Sequence, residues 1–129
     1  MLGLNLFPPE VARTESANYE RELRKFGWPL DSRRSYTKPE WEVWSVSLAD
    51  SQSDFRKLML PVFGFVNQTP SRVPLPDWYY ATEGKQCLYH TRVGREIGFQ
   101  ARPVVGGVFI KVLMDAATWK KWSGKAHVR

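Results

Sequence analysis

The sequence predicts an all-α fold in a single chain of 129 residues. Two observations carry this prediction: apolar residues recur at helical spacing in several segments, and proline or a capping side chain stands where each of these segments begins. The composition agrees with a folded protein, because 43% hydrophobic and 25% charged residues are close to the averages of soluble domains. We therefore expect one compact helical domain or a part of one.

The N-terminal third contains two predicted helices. The first covers residues 8–27, with prolines in its first turn and Gly27 as its C-terminal stop. A polar loop follows over residues 28–37. The second helix is expected to begin after Thr37, because Thr37 and Glu40 have the Thr-x-x-Glu spacing of a capping box.

A third helix is predicted to open at Ser51, which suits the N-terminal cap position. Apolar residues continue at helical spacing up to Val66, and the helix should end by Asn67. Pro61 lies inside this helix and predicts a kink, because proline removes one backbone hydrogen bond.

The C-terminal half is less regular. Proline and glycine interrupt residues 70–103, which we expect to form a long irregular loop with a small hairpin, its strands near residues 86–92 and 96–101. An apolar helix is expected over residues 104–114, where two adjacent glycines would allow a neighbouring helix to approach closely. A short helical turn over residues 116–122 should follow.

Composition and charge argue against several classes of protein. The longest apolar stretches, residues 58–66 and 104–110, are far shorter than the roughly 20 residues of a membrane span. The first residues lack the features of a secretory signal, so none is expected in this chain. A single cysteine, Cys87, excludes an internal disulfide and a multi-cysteine zinc site. The net charge of +6 arises from residues 86–129. The lysine and arginine residues there are scattered through apolar sequence, and we therefore expect no nucleic-acid binding.

Two possible functional sites, a serine nucleophile and a metal site, are only weakly supported by the sequence. Ser35 and Lys38 match the Ser-x-x-Lys arrangement of a lysine-activated nucleophile, but this motif overlaps the predicted capping box. His90 and His127 have no second ligand at helical spacing, and so no metal site is expected.

Acids beside aromatic residues are stronger candidates for catalysis. They are Asp31, Glu40 and Asp77, with Glu42 as a further possibility. A pair of carboxyl groups, one protonated by an apolar environment and one ionised, can supply the acid and the base of a hydrolysis. The alternative is that each acid pairs with a nearby arginine or caps a helix, and the residues alone leave both interpretations open.

Five segments in fixed order give the sequence a specific resemblance. They are residues 2–8, 27–33, 36–41, 72–79 and 98–107. Together they closely resemble the C-terminal part of the glutaminase A-like family of fungi and bacteria, over about residues 2–113. We refer to them below as the signature segments.

The resemblance implies a six-hairpin (α/α) toroid, the glycosidase-like architecture in which loops at one end of a ring form a pocket. It implies a hydrolase that converts L-glutamine to L-glutamate and ammonia, exported from the cytoplasm (secreted or periplasmic), with no cofactor or metal. Carried over by motif, the candidate catalytic residues are Asp31, Glu40 and Asp77. The candidate substrate-binding residues are Arg33, Tyr36, Lys38, Trp41, Trp78, Tyr79 and Arg102.

This chain departs from the family pattern in three respects. Glu40 stands where the family has aspartate, and the chain is longer around residues 86–96. The family toroid is also much longer than this chain, which we therefore expect to form the closing hairpins of a larger protein. An incomplete ring should leave apolar helix faces uncovered, and we expect self-association through them.

Three functions remain open at this stage. The first alternative is that the chain is a partial glutaminase-like amidohydrolase, whose substrate is glutamine or a related amide. Alternatively, it is a non-catalytic helical module that binds a glycan or a protein partner through the aromatic loop around Trp78. The third alternative is a fragment with no independent function.

Overall fold

A computed structural model describes residues 6–123 of the chain, so that His127 and residues 2–5 of the first signature segment lie outside the described residues. The elements in chain order are helix α1 (Pro9–Arg21), strand β1 (Tyr36–Thr37), helices α2 (Pro39–Val46) and α3 (Gln52–Gln68), strands β2 (Tyr79–Tyr80), β3 (Leu88–His90) and β4 (Glu96–Gly98), a 3-10 helix (Pro103–Phe109), and helices α4 (Ile110–Leu113) and α5 (Ala116–Ser123). The prediction of a mainly helical fold is confirmed, since the strands contain only two or three residues each. Within residues 6–123 no helix has the length and hydrophobicity needed to cross a membrane.

Helix α1 ends at Arg21, earlier than predicted. Residues 22–27 leave the helix, and the Phe26 N–H donates a hydrogen bond to the Ala81 carbonyl (2.8 Å). This distant pairing takes the backbone out of the helical ladder and buries the Phe26 side chain. The prediction of Gly27 as a helix stop is therefore wrong.

Helix α2 follows Thr37 as predicted, but the capping box is absent. Lys38 occupies the cap position and no side chain caps the helix. Thr37 belongs to strand β1, and the Glu40 side chain is buried, with 2% of its surface exposed. Tertiary contacts of Thr37 and Glu40 thus replace the reciprocal hydrogen bonds of the capping box that their spacing predicts.

Helix α3 is confirmed together with its cap. The Ser51 hydroxyl accepts a hydrogen bond from the Asp54 N–H (3.0 Å), and the helix continues past Pro61 to Gln68. Its buried face consists of Leu58, Val62 and Phe65. Leu58 and Val62 are therefore buried as the helical spacing predicts, whereas Val66, at the end of the predicted apolar face, is exposed.

The predicted hairpin is confirmed by the antiparallel pairing of β3 with β4. The predicted helix over residues 104–114 is wrong in its first half, which is a 3-10 helix up to Phe109. Adjacent glycines favour the α-helix poorly. In addition, the Gly107 carbonyl accepts hydrogen bonds both from Trp44 Nε1 (3.0 Å) and from the Ile110 N–H of the 3-10 turn, so the contact with α2 accompanies the tighter turn. The predicted close approach is confirmed at Gly107, where Trp44 of α2 lies against the backbone, but not at Gly106, where a Cβ would meet nothing within 4 Å. The short helix at residues 116–123 is also confirmed.

Replacing Gly107 with alanine is expected to destabilise the chain by about 1–3 kcal/mol, because the added Cβ would lie 2.6 Å from Nε1 of Trp44. Gly106→Ala is the matched control, since a Cβ there meets nothing within 4 Å. Its effect should stay below about 1 kcal/mol in either direction. Urea unfolding measures both variants, and equal stabilities would show that Trp44 does not restrict position 107.

The buried residues form two clusters. One contains Phe26, Phe65 and Tyr79, with the rings of Phe65 and Tyr79 stacked at a centroid distance of 3.5 Å. The other contains Trp28, Val46 and Leu58. Signature residues such as Trp28 and Tyr79 are therefore part of the core, and they fix their loops against α2 and α3.

One face of α3 exposes large apolar side chains. Leu60 is 69% exposed and Phe63 is 65% exposed, and Val66 lies on the same helix. The expectation of uncovered apolar helix faces is met within the described part of the chain. Self-association through such faces remains a prediction.

Candidate functional site

Backbone pairing brings three signature segments together. Strand β1 pairs antiparallel with β2, which places Thr37 opposite Tyr79. The Asp77 N–H donates a hydrogen bond to the Phe99 carbonyl (3.2 Å), and Pro76 forms a bridge with Gln100. Residues 36–41, 72–79 and 98–107 therefore meet beside the start of α2.

Glu42 attaches a fourth signature segment to this junction. The Trp28 N–H donates a hydrogen bond to Glu42 Oε1 (2.9 Å). Gly27 precedes it with a φ of +124°, and a Cβ at this position would lie 1.7 Å from the same oxygen. Only glycine allows the loop to approach the carboxyl group this closely.

The carboxyl group of Glu42 is buried, and its surroundings favour the protonated form. Burial raises its pKa to about 8, although hydrogen bonds from Tyr79 and Trp28 lower it. The geometry supports the same conclusion, because the single proton of the Tyr79 hydroxyl faces two acceptors, Glu42 Oε2 (2.5 Å) and the Phe26 carbonyl (2.9 Å). A protonated Glu42 that donates to Tyr79, while Tyr79 donates to Phe26, satisfies every group.

Glu40 and Asp77 form a second buried group of acids. Arg102 Nε donates to Asp77 Oδ2 (2.6 Å), and the guanidinium lies 3.7 Å from the centroid of the Phe99 ring. Burial raises the pKa of Glu40, and the charge of Asp77 raises it further, while Lys38 and Arg102 lower it. Glu40 Oε2 and Asp77 Oδ1 make no hydrogen bond to any part of the chain that the structure describes.

A cleft of about 500 Å³ lies on the Glu42 side of α2. It is lined by Tyr19, Trp28, Pro29, Leu30, Asp31, Arg33, Thr37, Trp41, Glu42 and Ser45. The rings of Tyr19 and Trp28 stack at 5.3 Å, and Trp41 is 49% exposed. The cleft thus combines aromatic walls with polar groups, as ligand sites do.

Asp31 is the ionised acid of this cleft. Its carboxylate accepts two hydrogen bonds from the Arg33 side chain, from Nε (3.0 Å) and from Nη2 (2.6 Å), and one from the Arg33 N–H (2.9 Å). These bonds hold the pKa of Asp31 below its ordinary value. Glu42, in contrast, has a raised pKa. Two carboxyl groups whose pKa values are shifted apart in one cleft are suited to act as an ionised and a protonated partner in catalysis.

The structure divides the sequence-predicted site residues into two groups. Asp31, Arg33 and Trp41 line the cleft, whereas Glu40, Asp77 and Arg102 form the buried group, with the Lys38 ammonium 5.9 Å from the Phe99 ring centroid. The Trp78 ring contacts Tyr36 (5.7 Å) and Phe99 (5.4 Å), and the Tyr79 ring is fully buried. The roles of all these residues remain predictions.

Sequence reasoning offered Glu42 only as a further possibility among the catalytic acids, and it did not predict Trp28 as a site residue. Glu42 follows Trp41 directly, which placed it among the acids beside aromatic residues. No local signal indicates its burial, since this depends on Tyr79 and the loop at Gly27.

Cys87 and possible metal ligands are the other reactive side chains to consider within residues 6–123. Burial raises the pKa of Cys87 to about 12, which disfavours the reactive thiolate near neutral pH. Nowhere between residues 6 and 123 do three or more His, Cys, Asp or Glu side chains group in a way that could hold a metal ion.

Comparison with known proteins bears on this arrangement. A family model described as the glutaminase A six helical-hairpin domain matches residues 1–112. The chain belongs to this family. The resemblance carried by the five signature segments is thus confirmed.

Two named relatives share this region. Glutaminase A of Aspergillus oryzae is 34% identical over 116 residues, which cover 88% of this chain and 15% of that protein. A probable glutaminase of Arthroderma benhamiae is 35% identical over 112 residues, covering 85% of this chain and 12% of that protein. The chain therefore spans only a small part of the length of either relative. No solved structure matches the chain.

Proposed function

We propose that this chain supplies part of the active site of a glutaminase-like amidohydrolase built as a six-hairpin toroid. The names of the relatives support the reaction class. The observation that carries the proposal is the cleft itself, which is lined by Asp31, with a lowered pKa, and by Glu42, with a raised pKa.

The two acids have complementary roles in this proposal. The Asp31 carboxylate accepts a proton from a water molecule, whose oxygen bonds to the carbonyl carbon of the substrate amide. Glu42 donates its proton to the amide nitrogen as the C–N bond breaks, so that ammonia leaves and a carboxylic acid remains. The proton accepted by Asp31 passes to Glu42 after the products leave, so that both acids regain their starting states. Arg33 lines the same cleft, and its Nη1 group makes no hydrogen bond within residues 6–123, so it is available to bind a substrate carboxylate.

The buried group acts through Glu42. The charge of Glu40 contributes to the raised pKa of Glu42, and the Asp77–Arg102 ion pair links the loop at residues 98–102 to the segment of residues 72–79. In this proposal Glu40 and Asp77 position and tune Glu42, because neither of them lines the cleft.

Ammonia release from L-glutamine tests the proposal. It is measured with this chain and with the Aspergillus oryzae glutaminase A that carries this chain in place of its matching segment. Glu42→Gln and Asp31→Asn are each expected to lower kcat by about 100-fold or more, because each removes one acid–base partner.

Asp50→Asn provides the matched control, since Asp50 also pairs with an arginine, Arg13 (3.2 Å), but on the open surface. Its kcat should equal that of the unsubstituted protein. Full activity of Glu42→Gln or Asp31→Asn would contradict the assignment, as would the absence of ammonia from both proteins when circular dichroism shows them folded.

A further inference from the structure

The catalytic cleft continues into a second, larger one. This adjoining cleft encloses about 720 Å³ and shares five lining residues with the first: Tyr19, Trp28, Pro29, Leu30 and Asp31. Clefts of roughly 300–1,000 Å³ usually hold ligands of drug size, and a free amino acid is smaller than such a ligand. The first cleft alone would accommodate glutamine, so the second provides room for a longer molecule.

The second cleft is lined by hydrogen-bonding groups of every kind. The residues found only there are Glu15, Asn18, Glu22, Arg24, Ser32, Arg34 and Ser35. They offer carboxylate acceptors, guanidinium and hydroxyl donors, and an amide, which matches the alternating N–H and C=O groups of a peptide main chain. Several of them, including Ser32 and Arg34, are exposed, so a chain could enter and leave the groove.

Arg34 is the group in this cleft that is best placed to hold a ligand. Arg24 is already engaged with Glu22 (2.9 Å) and with two backbone carbonyls. Arg34, in contrast, makes no ion pair with any residue from 6 to 123. Its guanidinium is therefore available to main-chain carbonyl groups or to a terminal carboxylate of a ligand.

We propose that the substrate amide belongs to a glutamine residue within a peptide. The glutamine side chain enters the first cleft, and the flanking main chain runs along the second cleft past Arg34. This inference rests on the proposed amidohydrolase function and specifies its substrate class.

Binding to the full chain tests the substrate class independently of catalysis. The probes are L-glutamine, the peptide acetyl-Gly-Gln-Gly-amide and the same peptide with leucine in place of glutamine, each titrated by NMR. The glutaminyl peptide is expected to bind at least about tenfold more tightly than either other probe. Arg34→Ala should lower the ratio of peptide affinity to glutamine affinity at least tenfold, whereas Arg56→Ala, an exposed arginine on α3, should leave that ratio unchanged.

The possible outcomes separate the two proposals. Equal affinities for peptide and glutamine, no binding of any probe, or an unchanged ratio in Arg34→Ala would overturn the peptide inference. Ser32→Trp, which places a ring in the second cleft, gives an independent check and should weaken peptide binding in the same way. If the peptide binds as expected but neither probe releases ammonia in the assay above, the peptide site stands and the amidohydrolase function fails.

Discussion

Glu42→Gln is expected to make the chain more stable than the unsubstituted protein at pH 8, and about equally stable at pH 4.5. The pKa of Glu42 rises from an ordinary value of 4.5 to about 8 in the folded chain, chiefly because the side chain is buried. An uncharged glutamine can keep the same contacts, with its oxygen accepting from the Trp28 N–H and its amide donating to Tyr79.

The sign follows from proton binding. Between pH 4.5 and about 8 the folded chain keeps a proton on Glu42 that the unfolded chain has released. Stability from this group is therefore complete below pH 4.5 and is lost as the pH rises towards 8. The difference in the free energy of unfolding between Glu42→Gln and the unsubstituted protein is expected to grow by roughly 2–4 kcal/mol between pH 4.5 and 8.

Urea unfolding at several pH values measures this difference. Glu40 titrates in both proteins with a raised pKa, and its contribution largely cancels in the comparison. Glu10→Gln on the exposed start of α1 serves as the control, with an expected change within about 1 kcal/mol at every pH. A difference between Glu42→Gln and the parent that does not change with pH would show that Glu42 is ionised in the folded chain.

This expected gain in stability has a functional meaning. A buried acid that makes a protein less stable than its amide counterpart is typical of a functional site, whereas a core position favours the stable residue. Under the proposed function, Glu42→Gln should raise stability at neutral pH and lower the kcat of ammonia release by about 100-fold or more. The combination separates a catalytic role from a structural one.

Much of the helical fold could be predicted because its signals are local. The Ser51 cap and the extent of α3 depend on residues within one segment, and the structure reproduces both. The errors occur where distant residues compete for the same groups. Thr37 pairs with Tyr79 instead of capping α2, and Phe26 bonds to Ala81 instead of extending α1.

The same distinction applies to the site. Asp31 and Arg33 are close in sequence, and their ion pair was among the alternatives considered from the residues alone. The sequence did not predict that Glu40 lies in the buried group and Glu42 lies at the cleft. This placement depends on tertiary contacts, of Glu40 with Asp77 and of Glu42 with Tyr79. Residue type indicated which side chains could do chemistry, but tertiary pairing decided which of them line the cleft.

Gly27→Ala is expected to destabilise the chain by about 4 kcal/mol or more. The φ of Gly27 is +124°, which is unfavourable for alanine, and the new Cβ would lie 1.7 Å from Glu42 Oε1. Glu42 would have to move, and the buried Trp28 N–H would lose its acceptor. Urea unfolding at neutral pH measures the loss.

Gly94→Ala separates backbone strain from the contact with Glu42. Gly94 also has a positive φ, +75°, but a Cβ there meets nothing within 4 Å, so the expected loss is only about 1 kcal/mol. A double-mutant cycle completes the test, because Glu42→Ala removes the group that the new Cβ would strike. Gly27→Ala should then be less destabilising by at least about 1 kcal/mol than in the parent chain. Additive losses would show that the two residues are independent, and the loop at Gly27 would then be held in place by contacts other than the carboxyl group of Glu42.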